Sequence, residues 1–276
     1  MRLATIRTDT GTAAVRIAGA DAIEMGAPDV GTLLTDPGWS ARAEGADGAR
    51  HPSEAIDYAP LVPAPGKIIC VGLNYRNHIL EMGRELPEHP TLFAKYSSSL
   101  IGARDDIILP RVSSQTDWEA ELAVVIGSSA RHVAVDDALG AIAGYSVCND
   151  VSVRDWQNRT LQWLQGKTFE ATTPLGPVLV TLDESSGIDG FELTCEVDGE
   201  LVQKATTSDL VFGPAALVSY ISDIFTLEPG DVIATGTPGG VGHARTPPRY
   251  LDDGNVVVTR IEGIGECRNT CRREPT

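Results

Sequence analysis

The sequence predicts an α+β fold with a mixed, β-rich core, and three observations carry that prediction. Glycine (28) and proline (17) are plentiful and aromatic residues make up only 5% of the chain. That composition suits many short strands and tight turns better than a helix bundle. Apolar or alternating runs of strand length outnumber segments with helical periodicity. The strands and helices also fail to alternate regularly, which places the chain in the α+β class.

Taken in order, Leu3 to Arg7 and Ala13 to Ile17 read as short alternating strands, followed by a Gly-, Ala- and Asp-rich stretch through Arg50. Ala59-Pro60-Leu61-Val62-Pro63-Ala64-Pro65-Gly66 reads as an extended linker, because prolines push their preceding residues out of the helical region. The boundary falls there: a small N-terminal β domain over 1–60 and the main domain over 61–276. The main domain opens with a strand from Lys67 to Gly72, then a polar turn, then a short helix from Arg76 to Gly83 with the glycine as its stop. Strands follow at Leu92–Lys95, Ile107–Leu109, Glu119–Ile126 and Ile142–Asn149, with a short helix over Val133–Leu139. An imperfect apolar stripe makes Asp150 to Gln165 helical. Glu192 to Lys204 is the clearest hairpin, since Asp198-Gly199 is the preferred two-residue turn. Phe212 to Phe225 is an amphipathic helix entered through Gly213-Pro214. Asp231–Thr235 is a short buried strand, and Val256–Ile261 is the last.

At 276 residues the chain can bury a sizeable core. Its net charge of −16 argues against nucleic acid and against an anionic membrane surface, both of which attract basic proteins. An acidic protein still binds an anionic substrate where a metal or a few placed cations invert the local field. No stretch approaches the ~20 apolar residues of a spanning helix. Residues 1–7 alternate like a strand and lack a signal-peptide core, so the expected location is cytoplasmic. Cys70, Cys148 and Cys195 sit in apolar runs as small core residues. Cys267 and Cys271 lack the neighbours of a zinc site.

The most informative stretch is Asp117-Trp118-Glu119-Ala120-Glu121-Leu122-Ala123-Val124-Val125-Ile126. In a strand, residues i and i+2 share a face, so Glu119 and Glu121 point the same way at the head of a buried run. Two like charges about 4 Å apart repel by roughly 4 kcal/mol at an effective dielectric near 20. Such a pair needs a shared proton or a cation, and the cation is the better reading. Asp150 ends another strand, where it serves as a third ligand, as a helix N-cap, or both. Three carboxylates suit Mg²⁺, with Mn²⁺ as the alternative; zinc is less favoured without histidine or thiolate. His78 and Glu81 lie three apart on one helical face, either as a weak surface couple or as a base oriented by a carboxylate. Lys167 by itself reads as solvent-facing. The loop Gly236 to Gly242 matches neither a dinucleotide fingerprint nor a P-loop. It is a tight turn whose N–H groups, with Thr237, are also suited to a substrate carboxylate. His243 follows that loop and reads as a surface residue, with a place in a pocket wall as the alternative. No nucleophilic-serine elbow is present.

Val71-Gly72-Leu73-Asn74-Tyr75 with His78 and Glu81, then Asp117 to Gly127, Gly144 to Asp155, Gly166-Lys167-Thr168-Phe169, Thr235 to Gly242, and Ile261 to Glu266 occur in a fixed order. In that order they resemble the fumarylacetoacetate hydrolase family, and within it the acylpyruvase-like and 2-hydroxyhepta-2,4-diene-1,7-dioate isomerase-like members. The resemblance covers about 65–269. It implies a mixed β-roll catalytic fold, usually a homodimer, with Mg²⁺ or Mn²⁺ held by Glu119, Glu121 and Asp150. It also implies His78 and Glu81 as a catalytic pair on a lid, Lys167 as a catalytic lysine that contacts substrate, and Asn74, Tyr75, Gln157 and Thr237 as substrate-binding positions. The implied activity is hydrolysis of a C–C bond in a β-diketo acid, an acylpyruvate such as fumarylpyruvate from aromatic catabolism. The alternatives are decarboxylation of oxaloacetate and isomerisation of a 2-hydroxy-dienoate on the same metal site, or a non-catalytic metal-binding protein. Two departures bear on substrate preference: Phe93-Ala94-Lys95-Tyr96 where many members have Lys-Pro, and Glu170 where Asp is common.

Overall fold

The computed structural model describes residues 1–81, 83–184 and 190–275; Met82, inside the helix expected over 76–83, lies outside them. The chain starts with an antiparallel meander of β1 (Arg2–Thr8), β2 (Gly11–Ala18) and β3 (Asp21–Glu24). Helices α1 (Val30–Leu34) and α2 (Trp39–Glu44) precede β4 (Arg50–Pro52) and β5 (Asp57–Tyr58). Then come β6 (Ile68–Gly72), α3 (Arg76–Glu81), β7 (Thr91–Lys95), β8 (Leu100–Ile101), β9 (Ile107–Leu109) and β10 (Thr116–Asp117). The long strands β11 (Ala120–Ile126) and β12 (Ile142–Asn149) are joined through α4 (Val135–Ala138). After them run β13 (Ser152–Val153), α5 (Arg154–Gln157), α6 (Leu164–Lys167) and β14 (Thr173–Thr181). The last part holds β15 (Glu192–Val197), β16 (Glu200–Thr206), α7 (Pro214–Ile224), β17 (Val232–Ala234), β18 (Val256–Ile261) and β19 (Gly265–Arg273).

Twelve strands form one open mixed sheet whose main path is β4-β3-β2-β1-β14-β12-β11-β17-β6-β7. A five-stranded sheet, β16-β15-β18-β19-β9, packs across β11, β12 and β14. The α+β, β-rich reading therefore holds, and both sheets are open. Strand β11 shows why the large sheet is stable. All seven of its residues are buried, and they alternate between two cores. Leu122, Val124 and Ile126 join one cluster, which α7 covers with Leu217, Val218 and Ile221; Ala123 and Val125 join the other, which α1 covers with Leu33 and Leu34. A strand buried on both faces reads as a continuous apolar run, as this one does. Strand β1 pairs with β14, so the first five strands prolong the main sheet, and β1 contributes Ala4 and Ile6 to one core and Leu3 to the other.

Most expected elements are present within a residue or two. The Asp198-Gly199 hairpin has both turn residues at positive φ (53° and 79°), the type I′ signature. All five cysteines are buried free thiols. Three departures have physical causes. The helix expected over 150–165 breaks into β13, α5 and α6: Ser152 and Val153 pair with Asp117 and Thr116, while Leu161 is 98% exposed and contributes nothing to an apolar stripe. Strand β14 is absent from the sequence-based expectation; it carries Pro174 and Pro177, residues that cannot donate to a ladder. Its pairing with β12 is irregular between Tyr145 and Val147, and Pro177 falls in that irregular stretch. Strand β19 follows the strand expected to be last; its buried positions, Cys267, Asn269 and Cys271, alternate beneath a charged outer face that masks the pattern.

Candidate active site

The site forms where β11 begins and β12 ends. Their antiparallel register sets Ala120 opposite Asn149, and the ladder continues one step through the Asp150 N–H, which donates to the Glu119 carbonyl at 2.8 Å. That register puts the Glu119 and Asp150 side chains across from each other, with Glu121 two residues along. Ligand oxygens of Glu119, Glu121 and Asp150 all lie within 4.8 Å of one another, and the three residues are buried. Asp150 does not cap a helix. Its Oδ1 accepts from Lys95 Nζ at 2.6 Å and its Oδ2 from Lys167 Nζ at 2.9 Å.

Cations surround this cluster unevenly. Lys167 Nζ also donates to Glu119 Oε2 at 2.5 Å, and Arg154 Nη1 reaches Glu119 Oε1 at 2.7 Å. Arg154 Nε donates to the buried Asp117 at 2.8 Å. Among the described residues Glu121 has no cationic partner; its one hydrogen bond is accepted from the Gly236 N–H at 2.8 Å. Four carboxylates (Asp117, Glu119, Glu121, Asp150) thus meet three cations (Lys95, Lys167, Arg154), leaving one negative charge over. Burial, reinforced by Asp150 and Glu119, pushes the Glu121 carboxyl well above the usual carboxylate range, against the opposing pull of Lys167. Burial acts the same way on Asp150, but Lys167 and Lys95 outweigh it and hold that group below the usual range. Burial likewise works against the Lys167 charge, and Asp150 and Glu119 more than compensate, so its pKa rises. A buried all-oxygen cluster with one uncompensated carboxylate has the chemistry of a hard divalent cation site.

The glycine loop after β17 is part of this arrangement. Gly236 sits at φ +103°, and a Cβ there would lie 2.9 Å from both the Val71 carbonyl and Asn74 Cβ. Only glycine lets the loop come this close and aim its N–H at Glu121. Asp117 secures the loop's far end by accepting from the Gly242 N–H at 2.7 Å and the His243 N–H at 2.9 Å.

A cavity of about 240 Å³ opens over the carboxylates, with Glu119, Glu121, Lys167, Gln157, Thr237 and His78 in its wall. Thr237 Oγ1 accepts from Gln203 Nε2 at 2.9 Å, and Gln157 Oε1 accepts from Arg154 Nη1 at 2.8 Å. Burial lowers the His78 pKa, with Arg154 and Arg84 adding to that effect; Glu81 and Glu119 oppose it. Glu81 is exposed and acts on His78 through its charge. Asn74 and Tyr75 are buried outside the cavity wall. The Asn74 amide spends its hydrogen bonds on main chain, donating to the Phe212 and Thr235 carbonyls and accepting from the Phe212 N–H. Among the described residues the buried Tyr75 hydroxyl has no hydrogen-bond partner, and burial with the nearby Glu121 raises its pKa.

Sequence reasoning missed Arg154, Lys95, Asp117 and Gln203; for His243 it preferred a surface position, and the structure bears out the alternative, a place in the cavity wall. One signal was available: Asp117, Glu119 and Glu121 keep a two-residue alternation, so the third acid shares the face of the other two. Arg154 and Lys95 carried no local signal, because a buried cation is recognisable only from its partners. Among the described residues Arg154 Nη2 is buried without a hydrogen-bond partner, and Arg154 lines the cavity.

Comparison with known proteins agrees with this geometry. Residues 67–272 match the family described as fumarylacetoacetate (FAA) hydrolase, C-terminal. The mitochondrial oxaloacetate tautomerase Fahd2a of Rattus norvegicus is 45% identical over 215 residues, covering 78% of this chain and 69% of its own. Fumarylacetoacetate hydrolase from Exiguobacterium antarcticum superposes with a TM-score of 0.88 at 32% identity, covering 99% of this chain and 100% of that one. The 5-carboxymethyl-2-hydroxymuconate delta-isomerase from Mycobacterium smegmatis gives 0.85 at 34% identity, again covering 99% and 100%. The chain belongs to the fumarylacetoacetate hydrolase family.

Proposed function

We propose that this protein catalyses keto–enol interconversion of a 2-oxo acid with the chemistry of oxaloacetate, using Mg²⁺ or Mn²⁺ held by Glu119, Glu121 and Asp150. The observation that carries the reading is the buried, cation-deficient carboxylate cluster on the floor of a cavity that also holds an imidazole of lowered pKa and the cationic side chains of Lys167, Arg154 and Arg84. The 45% identity to an oxaloacetate tautomerase supports the choice of reaction.

When bound, the divalent cation supplies Lewis-acid stabilisation of negative charge developing on the 2-oxygen. Arg154 offers its unpartnered Nη2 to the adjacent carboxylate of the substrate. A lowered pKa leaves His78 neutral near pH 7 and able to take a proton. In the keto-to-enol direction His78 removes one proton from C3, and the C–H electron pair becomes the C2=C3 bond. The carbonyl electrons move to the 2-oxygen, where Lys167 stabilises the charge. Returning the same proton to that oxygen completes the enol and regenerates the base, and the reverse sequence forms the ketone.

The His78–Glu81 pair also favours a second reading. A neutral imidazole beside a carboxylate is suited to deprotonating water, so C–C hydrolysis of an acylpyruvate is the rival, and a fumarylacetoacetate hydrolase is among the structurally similar proteins. To separate the two, the Mg²⁺-loaded protein is mixed with oxaloacetate and, separately, with acetylpyruvate and fumarylpyruvate, and products are followed by ultraviolet absorbance and NMR. Accelerated enol loss without pyruvate supports tautomerisation. Pyruvate with carbon dioxide identifies a decarboxylase, and pyruvate with a second carboxylic acid a hydrolase. No chelator-sensitive reaction with any of the three refutes the assignment.

A further inference from the structure

We propose that Arg84 is the specificity-determining residue of this cavity, selecting 2-oxo acids that carry a second carboxylate by pairing with that distal group. The inference rests on the reading of the cavity as a site for a 2-oxo acid like oxaloacetate and adds which residue reads the far carboxylate. The floor of the cavity is buried and holds Glu119, Glu121, Lys167 and Arg154, so the 2-oxo acid end belongs there. Three lining residues are exposed and mark the mouth: Arg84, Asn158 and His243. Of these only Arg84 is a fixed cation. Its placement follows from how α3 ends. Gly83 takes φ +68° and its N–H donates to the Leu80 carbonyl at 2.9 Å, while the Arg84 N–H donates to the Ile79 carbonyl at 3.2 Å. This glycine-terminated turn folds the chain back, so the residue after it returns to the cavity that His78 of the same helix also lines. Among the described residues the Arg84 guanidinium has no carboxylate partner, unlike Arg7, Arg50, Arg154, Arg245 and Arg249. A chain of net charge −16 repels a dianion, and an unpaired guanidinium at the mouth reverses that field locally.

The test is calorimetric binding to the Mg²⁺-loaded protein of an isosteric pair, 2-oxoglutarate and 2-oxopentanoate, in which a carboxylate replaces a methyl. Wild type is expected to favour 2-oxoglutarate by about tenfold, the lower end for a charge-assisted hydrogen bond because the site is open to solvent. Arg84→Gln should bind the two alike, with 2-oxopentanoate affinity unchanged, and Arg84→Lys should keep part of the preference. A structural role for Arg84 would lower both affinities together. If wild type does not discriminate, or Arg84→Gln still does, the proposal is overturned while the 2-oxo acid reading stands. If wild type binds neither ligand, that reading falls and the proposal with it.

Discussion

Replacing Glu121 by glutamine should stabilise the metal-free protein, although it changes a fully buried residue of the candidate active site. At the 4.8 Å limit of the cluster, each like-charged neighbour costs about 3.5 kcal/mol at an effective dielectric near 20. Glu119 and Asp150 are largely neutralised by Lys167, Lys95 and Arg154, so the surplus amounts to roughly one such interaction, about 2–3 kcal/mol after that screening. Glutamine keeps the acceptor for the Gly236 N–H and removes the charge. Since Glu121 has its pKa raised by folding, wild-type stability falls as pH rises from the ordinary carboxylate range through that raised value. In Glu121→Gln this loss should disappear. Thermal melting in chelator at neutral pH should show a gain of roughly 4–8 °C for a chain of this size. Adding Mg²⁺ should raise the wild-type midpoint and leave the variant nearly unmoved, because the cation offsets a charge the variant lacks. A variant that melts below wild type in chelator, or gains as much from Mg²⁺, would refute the charge accounting.

Replacing His78 by alanine should lower kcat by about 10²–10⁴, the usual worth of a positioned acid–base group, while the melting temperature stays close to wild type because the ring is only half-buried. Full activity in that variant would remove His78 from the mechanism. Glu81 raises the proton affinity of His78, so Glu81→Gln should move the acid limb of kcat/KM to lower pH; movement to higher pH would contradict the electrostatic link. Lys167→Met strips a partner from Glu119 and Asp150 together and should cost about 3–5 kcal/mol in chelator, read by urea denaturation. Added Mg²⁺ should recover part of that loss, and a variant as stable as wild type would show that the ammonium does not hold the cluster.

Legibility divided along the range of the interaction responsible. Where a residue's role depends on its near neighbours in sequence, the reading was sound: the i, i+2 acids of β11, the Asp198-Gly199 turn and the Gly213-Pro214 helix entry. Where two distant segments had to meet, it was incomplete. Arg154 reads from sequence as part of a longer helix, yet it opens the four-residue α5 and its side chain turns inward to Asp117 and Glu119. Strand β14 carries two prolines and is absent from the sequence-based expectation; its irregular pairing with β12 accommodates one of them.

By itself the sequence determined that acidic side chains stand at the head of a strand buried on both faces, since side-chain alternation is a local property of an extended backbone. Only the tertiary structure decided which of those charges are neutralised. The β11–β12 register sets Asp150 across from Glu119, α6 and β7 bring lysines to both Asp150 oxygens, and Glu121 is left with a single backbone N–H. That imbalance depends on distances between segments far apart in the chain, and such distances are fixed only when the sheet closes around them.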